Sequence, residues 1–134
     1  MLAFGAAIAT KLRQGDWVAI DGPLGAGKTV LSKGIIEALG YDGEVASPSY
    51  ALVHHYGPPE LGVAVAHADL YRLNHDEELY ELGLAEEQDE RVTLVEWAER
   101  APHYGHPTHR IVITPQADGS RHIEYKTGTN DSSD

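Results

Sequence analysis

The chain contains no cysteine, which excludes disulfide bonds, cysteine-ligated zinc and thiol catalysis. The absence of cysteine also suits a reducing compartment, so we expect a cytoplasmic protein. No apolar run is long enough to cross a bilayer, and we therefore expect no membrane association. Basic residues are scarce as well, since ten Lys and Arg stand against 21 Asp and Glu, giving a formal net charge of −11.

This shortage of cations is greatest in residues 42–99, where Arg72 and Arg91 face fourteen acidic residues. Nucleic-acid binding depends largely on Lys and Arg that neutralise phosphates. We therefore expect no DNA binding, and contact with RNA only indirectly, through a partner. The acidic segment is either a surface for a basic protein partner or a solvated face.

The length of 134 residues predicts a single domain over residues 1–127, followed by a polar, disordered tail over 128–134. An apolar helical pattern opens the chain, and a β-strand, a helix and further strands follow. A hairpin pattern around 117–119 ends the domain. This order predicts a mixed sheet with parallel central strands and antiparallel edge strands. Together with the pattern G-x-x-x-x-G-K-[ST] at Gly22–Thr29, it predicts a three-layer α/β fold like that of P-loop NTPases.

A glycine-rich segment from Gly22 to Thr29 fits the phosphate-loop pattern G-x-x-x-x-G-K-[ST] at every fixed position. A strand pattern precedes it and a helical pattern follows it, which is the context that such a loop requires. Loop N–H groups and the helix N-terminus attract phosphate, Lys28 reaches the β- and γ-phosphates, and the Thr29 hydroxyl binds Mg²⁺. The predicted nucleotide-binding residues of the loop are Gly25, Ala26, Gly27, Lys28, Thr29 and Val30.

Two predicted strands end at an acid, Asp69 and Glu96. Parallel strands open their ligand crevice at these ends, and a P-loop needs a carboxylate there for Mg²⁺. We expect Asp69 to hold Mg²⁺, directly or through a water, with turn capping as the structural alternative. Glu96 either orients or deprotonates the attacking water or shares the metal. Its structural alternative is a salt bridge to Arg72 or Arg100.

Three further assignments are less specific. Ser49, in a Pro-containing loop after the P-loop helix, has the hydroxyl of a γ-phosphate sensor, although by itself a Ser after Pro is better explained as a plain turn. Trp97 is a candidate for stacking on adenine, and a core tryptophan is the alternative. The histidines show no metal-like spacing, and those at 54, 55, 103, 106 and 109 are interpreted as surface residues.

Taken together, these motifs resemble the TsaE (YjeE) family of small bacterial ATPases that support threonylcarbamoyladenosine formation in tRNA. The resemblance extends from about Gly15 to about Ala101. The P-loop is common to many families, whereas the later blocks are specific in this order. The matching blocks are Gly25-Ala26-Gly27-Lys28-Thr29, Ser47-Pro48-Ser49-Tyr50 with Leu52-Val53, His67-x-Asp69-Leu70-Tyr71-Arg72-Leu73, Glu81-Leu82-Gly83 and Val95-Glu96-Trp97.

The resemblance implies that the nucleotide is ATP, that Mg²⁺ is required, and that the partners are the TsaD and TsaB proteins. It implies catalytic roles for Lys28, Asp69 and Glu96, metal binding by Thr29, Asp69 and Glu96, and an essential pair formed by Glu96 and Trp97. The family usually has threonine at the position of Ser49, so the hydroxyl is kept. Family members also usually begin with a further strand before the first helix.

Other P-loop functions remain possible on the sequence. A small-molecule or nucleotide kinase shares the loop but usually has an arginine-rich lid, and the five arginines after this P-loop do not cluster along the chain. A GTPase would need an Asn-Lys-x-Asp guanine reader, which the sequence lacks. An ATP-sensing regulatory subunit with little turnover is the non-enzymatic alternative.

Overall fold

The computed structural model describes residues 1–45, 53–73 and 77–128. Its helices and strands follow the predicted order. Short 3-10 turns at Gln88–Glu90 and Ala98–Arg100 flank the fourth strand. The elements are α1 (Leu2–Ala9), β1 (Trp17–Asp21), α2 (Lys28–Ala38), β2 (Val53–Tyr56), β3 (Val65–Asp69), α3 (Glu77–Leu82), β4 (Val92–Glu96), β5 (His109–Pro115) and β6 (Arg121–Thr127).

One six-stranded sheet has the order β2-β3-β4-β1-β5-β6. β1 lies between β4 and β5 and is parallel to both, and β3 is parallel to β4. The edge strands β2 and β6 pair antiparallel with their neighbours. The predicted fold class is therefore confirmed. The carboxyl ends of β1, β4 and β3 meet at one edge of the sheet, where the candidate site forms.

The two faces of the sheet carry separate apolar cores because side chains alternate along each strand. On one face, α1 and α2 cover residues such as Val18, Ile20 and Leu94. On the other face, α3 and the segments around Leu84 and Tyr104 cover Trp17 and Val95. The sheet is thus the middle of three layers. The core on the α2 face includes Ala26 of the phosphate loop and so supports the loop.

Helices α1 and α2 approach closely through two glycines. A Cβ built on Gly5 would lie 2.9 Å from the carbonyl oxygen of Leu31, and one on Gly34 would lie 3.0 Å from that of Leu2. Both contacts are with backbone, which cannot rotate out of the way. The small residues therefore set the distance between the two helices, and the position of α2 in turn fixes the loop that precedes it.

One predicted surface residue is buried. The His109 side chain lies on β5 with 7 % exposure, its Nδ1 2.9 Å from the Tyr125 hydroxyl and its Nε2 3.2 Å from Asp16 Oδ2. The interpretation of this histidine as a surface residue was wrong, because alternation along β5 turns it inward. The predicted Pro-containing loop around Ser49 lies outside the described residues.

Candidate phosphate-binding site

The loop between β1 and α2 has the backbone that its glycines allow. Gly22, Gly25 and Gly27 have φ values of 151°, 78° and 109°, a region that other residues rarely adopt. Gly27 is the N-cap of α2, and Lys28 is the first helical residue. The loop therefore closes directly onto a helix N-terminus, where free N–H groups and the helix dipole favour an anion.

Lys28 is held inside this loop. Its Nζ donates to the carbonyl oxygens of Gly22 at 2.6 Å and Pro23 at 2.8 Å, and it lies 4.0 Å from the centre of the Trp97 ring. Burial lowers the pKa of Lys28, while Glu96 and Asp69 partly offset this effect through their negative charge. The ammonium is thus a desolvated cation at the mouth of the loop.

Glu96 joins the loop to the neighbouring strands. Its Oε1 accepts a hydrogen bond of 2.8 Å from the Thr29 hydroxyl, and its Oε2 lies 2.5 Å from His67 Nε2. Glu96 is 1 % exposed and His67 is fully buried. These two contacts fix the carboxylate beside Thr29. Its partners here are Thr29 and His67, not the arginines considered as the structural alternative.

Asp69 lies at the end of β3, directly beside Glu96 in the sheet register. Its Oδ1 accepts a 2.9 Å hydrogen bond from the Tyr71 N–H, so the turn-capping contact is present. Burial raises the pKa of Asp69, the Tyr71 N–H lowers it, and the negative charge of Glu96 raises it further. Asp69 also lines the cleft over the loop, and it is placed one strand further from Thr29 than Glu96 is.

Trp97 has a backbone conformation that is rare for a large side chain. Its φ of 59° and ψ of 40° are left-handed, and its N–H donates to the carbonyl oxygen of Ile20. The ring packs on Tyr71 with 4.8 Å between ring centres, and the Arg100 guanidinium lies 5.7 Å from it. This backbone conformation places the indole beside Lys28, at the phosphate end of the site.

A cleft of about 470 Å³ opens over these groups. It joins most of the predicted residues with two arginines: Arg72, which the sequence had suggested only as a salt-bridge partner of Glu96, and Arg121, which the sequence had not singled out. No local pattern marks Arg121, because it reaches the loop only through the hairpin. Ser49 lies outside the described residues. The lining residues are Leu24, Gly25, Gly27, Lys28, Thr29, Val30, Asp69, Tyr71, Arg72, Glu96, Trp97 and Arg121.

The donor atoms suit a small hard cation. The Thr29 hydroxyl and a Glu96 carboxylate oxygen lie 2.8 Å apart, and Mg²⁺ in proteins usually takes one or two carboxylates together with substrate phosphates. Within residues 1–45, 53–73 and 77–128, no group of three or more His, Cys, Asp or Glu side chains could hold a metal by itself. None of the described helices is both long and apolar enough to cross a membrane.

The sheet order, the loop and the acid beside it define a protein of the P-loop α/β class. The family is equally clear. The sequence model of the family described as "Threonylcarbamoyl adenosine biosynthesis protein TsaE" matches residues 1–123, and the chain belongs to this family.

Known proteins agree with this assignment. The chain is 45 % identical over 103 residues to the tRNA threonylcarbamoyladenosine biosynthesis protein TsaE of Mycobacterium leprae, covering 72 % of this chain and 64 % of that protein. It is 36 % identical to the Haemophilus influenzae TsaE, covering 97 % and 85 %. The crystal structure of Bacillus subtilis YdiB superimposes with a TM-score of 0.77 at 30 % identity, covering 96 % and 79 %. The chain thus spans just under two thirds of the mycobacterial relative.

Proposed function

We propose that this protein is a Mg²⁺-dependent ATPase that supports formation of threonylcarbamoyladenosine in tRNA by acting on the TsaD–TsaB transferase complex. The observation that carries the ATPase proposal is the 2.8 Å hydrogen bond from the Thr29 hydroxyl to Glu96, inside a complete phosphate loop. The family and its relatives support the link to this tRNA modification.

The residues divide the chemistry between them. Loop N–H groups and Lys28 bind the β- and γ-phosphates, and the Lys28 cation stabilises negative charge that develops during phosphoryl transfer. Thr29, Glu96 and Asp69 would hold Mg²⁺, which neutralises phosphate charge when bound. Because Glu96 already contacts Thr29, we assign it the position nearest the metal and place Asp69 next to it. Trp97 bounds the site beside Lys28.

Glu96 is also our candidate for orienting the attacking water, a task that P-loop NTPases assign to one polar side chain. Its buried position and its contact with His67 hold it in one orientation. Ser49 remains our candidate for sensing the γ-phosphate.

The partner complex is proposed on two grounds. The family is named for this modification, and residues 42–99 carry fourteen acids against two arginines, which suits a basic protein surface. Because of this charge, we propose that tRNA contacts the chain only through TsaD and TsaB and that the protein does not bind DNA. We also propose that the protein is cytoplasmic and does not bind membranes.

Phosphate release tests the proposal directly. We expect slow Mg²⁺-dependent ATP hydrolysis by the isolated chain and faster hydrolysis with TsaD and TsaB. The variant Lys28→Ala removes the lysine of the phosphate loop. Its control is Lys33→Ala, in the same helix but outside the cleft. ATP binding without hydrolysis in either condition would favour a regulatory subunit. Transfer of phosphate to an acceptor other than water would favour a kinase.

A further inference from the structure

Arg121 is tied to the phosphate loop from the far end of the chain. Its Nε donates a 2.7 Å hydrogen bond to the carbonyl oxygen of Ala26, which lies 95 positions away in sequence. A Cβ built on Gly27 would lie 3.3 Å from the same nitrogen. Arg121 is exposed and lines the cleft together with Lys28. The guanidinium therefore borders the site while Ala26 fixes its position.

The sheet order shows which end of the nucleotide Arg121 faces. Glu96 and Thr29 lie on the β4 side of β1, and this is the side where the metal and the terminal phosphates belong. β5 and β6 lie on the opposite side of β1. A nucleotide whose phosphates run along the loop would therefore extend its nucleoside toward β5 and β6, where Arg121 begins β6.

We propose that Arg121 is a nucleotide-binding residue that packs its guanidinium against the purine base. This assignment rests on the ATP binding proposed above. A guanidinium is planar and stacks on aromatic faces, and the bond from Nε to Ala26 holds the plane at the edge of the loop. Stacking on Arg121 would hold the base in a fixed position relative to the phosphates. It does not need the guanine-reading motif, which the sequence lacks.

Titration calorimetry with three ligands separates this role from phosphate binding. We expect Arg121→Gln to bind both Mg-ATP and Mg-ADP about tenfold more weakly, a change within the range of cation–π contacts. Its affinity for tripolyphosphate, which has no base, should be unchanged. Arg110→Gln is the matched control, because Arg110 lies on the neighbouring strand β5 and faces the opposite side of the sheet.

Arg121→Lys provides a second variant that keeps the positive charge but loses the plane. We expect it to weaken ATP and ADP as well, and thermal unfolding checks that both variants are folded. Unchanged affinities, a loss for ATP without one for ADP, an equal loss for tripolyphosphate, or full affinity in Arg121→Lys would each overturn the assignment. If the wild type binds tripolyphosphate but no nucleotide, the proposed function fails as well. If the wild type binds ATP and Arg121→Gln is unaltered, only the Arg121 assignment fails.

Discussion

Lys28 makes contacts with the protein as well as the contacts expected with phosphate. Its Nζ donates hydrogen bonds to two loop carbonyl oxygens. A hydrogen bond from this ammonium to a phosphate should contribute about 1.5–3 kcal/mol, as hydrogen bonds to charged groups do. Loss of the side chain should therefore weaken Mg-ATP binding roughly 10- to 100-fold. We expect Lys28→Ala to fold with a slightly lower melting temperature. Titration calorimetry measures the affinity.

Lys33→Ala is again the control and should bind Mg-ATP like the wild type. Wild-type affinity and turnover in folded Lys28→Ala would mean that the loop does not bind phosphate through this lysine.

His67 is a positioning residue, because its contact with the site is with Glu96 at 2.5 Å. Removing it frees the carboxylate to rotate, so we expect His67→Ala to lower the turnover number about tenfold, equivalent to about 1.4 kcal/mol, with little change in ATP affinity. Steady-state ATPase kinetics and calorimetry together separate these two quantities.

His67→Gln tests whether the effect depends on the hydrogen bond. It keeps an N–H donor in a similar place and should recover part of the turnover. If both variants lose ATP affinity as strongly as turnover, His67 supports the structure of the loop and does not position Glu96.

At this scale the sequence predicted the loop residues and both acids, because their spacing along the chain reflects local geometry. It did not predict the Glu96–His67 contact or the approach of Arg121 to Ala26. These contacts depend on strand register and on a hairpin, and neither is marked by a local motif. His67 could have been suspected, since it precedes Asp69 by two residues on the same face of β3.

At the scale of elements, the spacing of α1 and α2 depends on glycine. Alanine favours a helix by about 1 kcal/mol over glycine, but at Gly5 its Cβ would lie 2.9 Å from the Leu31 carbonyl. Forcing a methyl group into such a contact costs about 1–3 kcal/mol. We therefore expect Gly5→Ala to lower the free energy of unfolding by about 1 kcal/mol in urea titrations.

Gly62→Ala is the matched substitution, because a Cβ at Gly62 meets nothing within 4 Å. It should leave the stability unchanged or raise it slightly. If Gly5→Ala proves about 1 kcal/mol more stable than the wild type, which is the full helix-propensity gain of alanine, the helices separate without cost and their glycines do not set the packing distance.

Most elements could be predicted because hydrophobic periodicity and turn residues mark them directly. The hairpin of β5 and β6 followed from alternating residues around a turn containing Gly119. The interior position of His109 could not be predicted in this way, because its two polar partners, Asp16 and Tyr125, come from distant parts of the chain. Burial of a polar residue thus depends on partners that only the fold brings together.

At the scale of the whole molecule, the formal net charge of −11 opposes binding to a polyanion. We expect the isolated protein to show no tight binding to tRNA at about 0.15 M salt in a fluorescence anisotropy titration. Binding should appear when TsaD and TsaB are added. Sub-micromolar affinity of the protein alone would show a local basic surface that outweighs the total charge.

The position of β1 in the sheet also determines when the site can form during synthesis. β1 precedes the phosphate loop, yet both strands that pair with it, β4 and β5, come from residues 92–115. A nascent chain that ends before Val92 contains the complete phosphate-loop motif but neither strand that supports it. Because such distant pairings close late, the chain should acquire nucleotide binding only when its last third has left the ribosome.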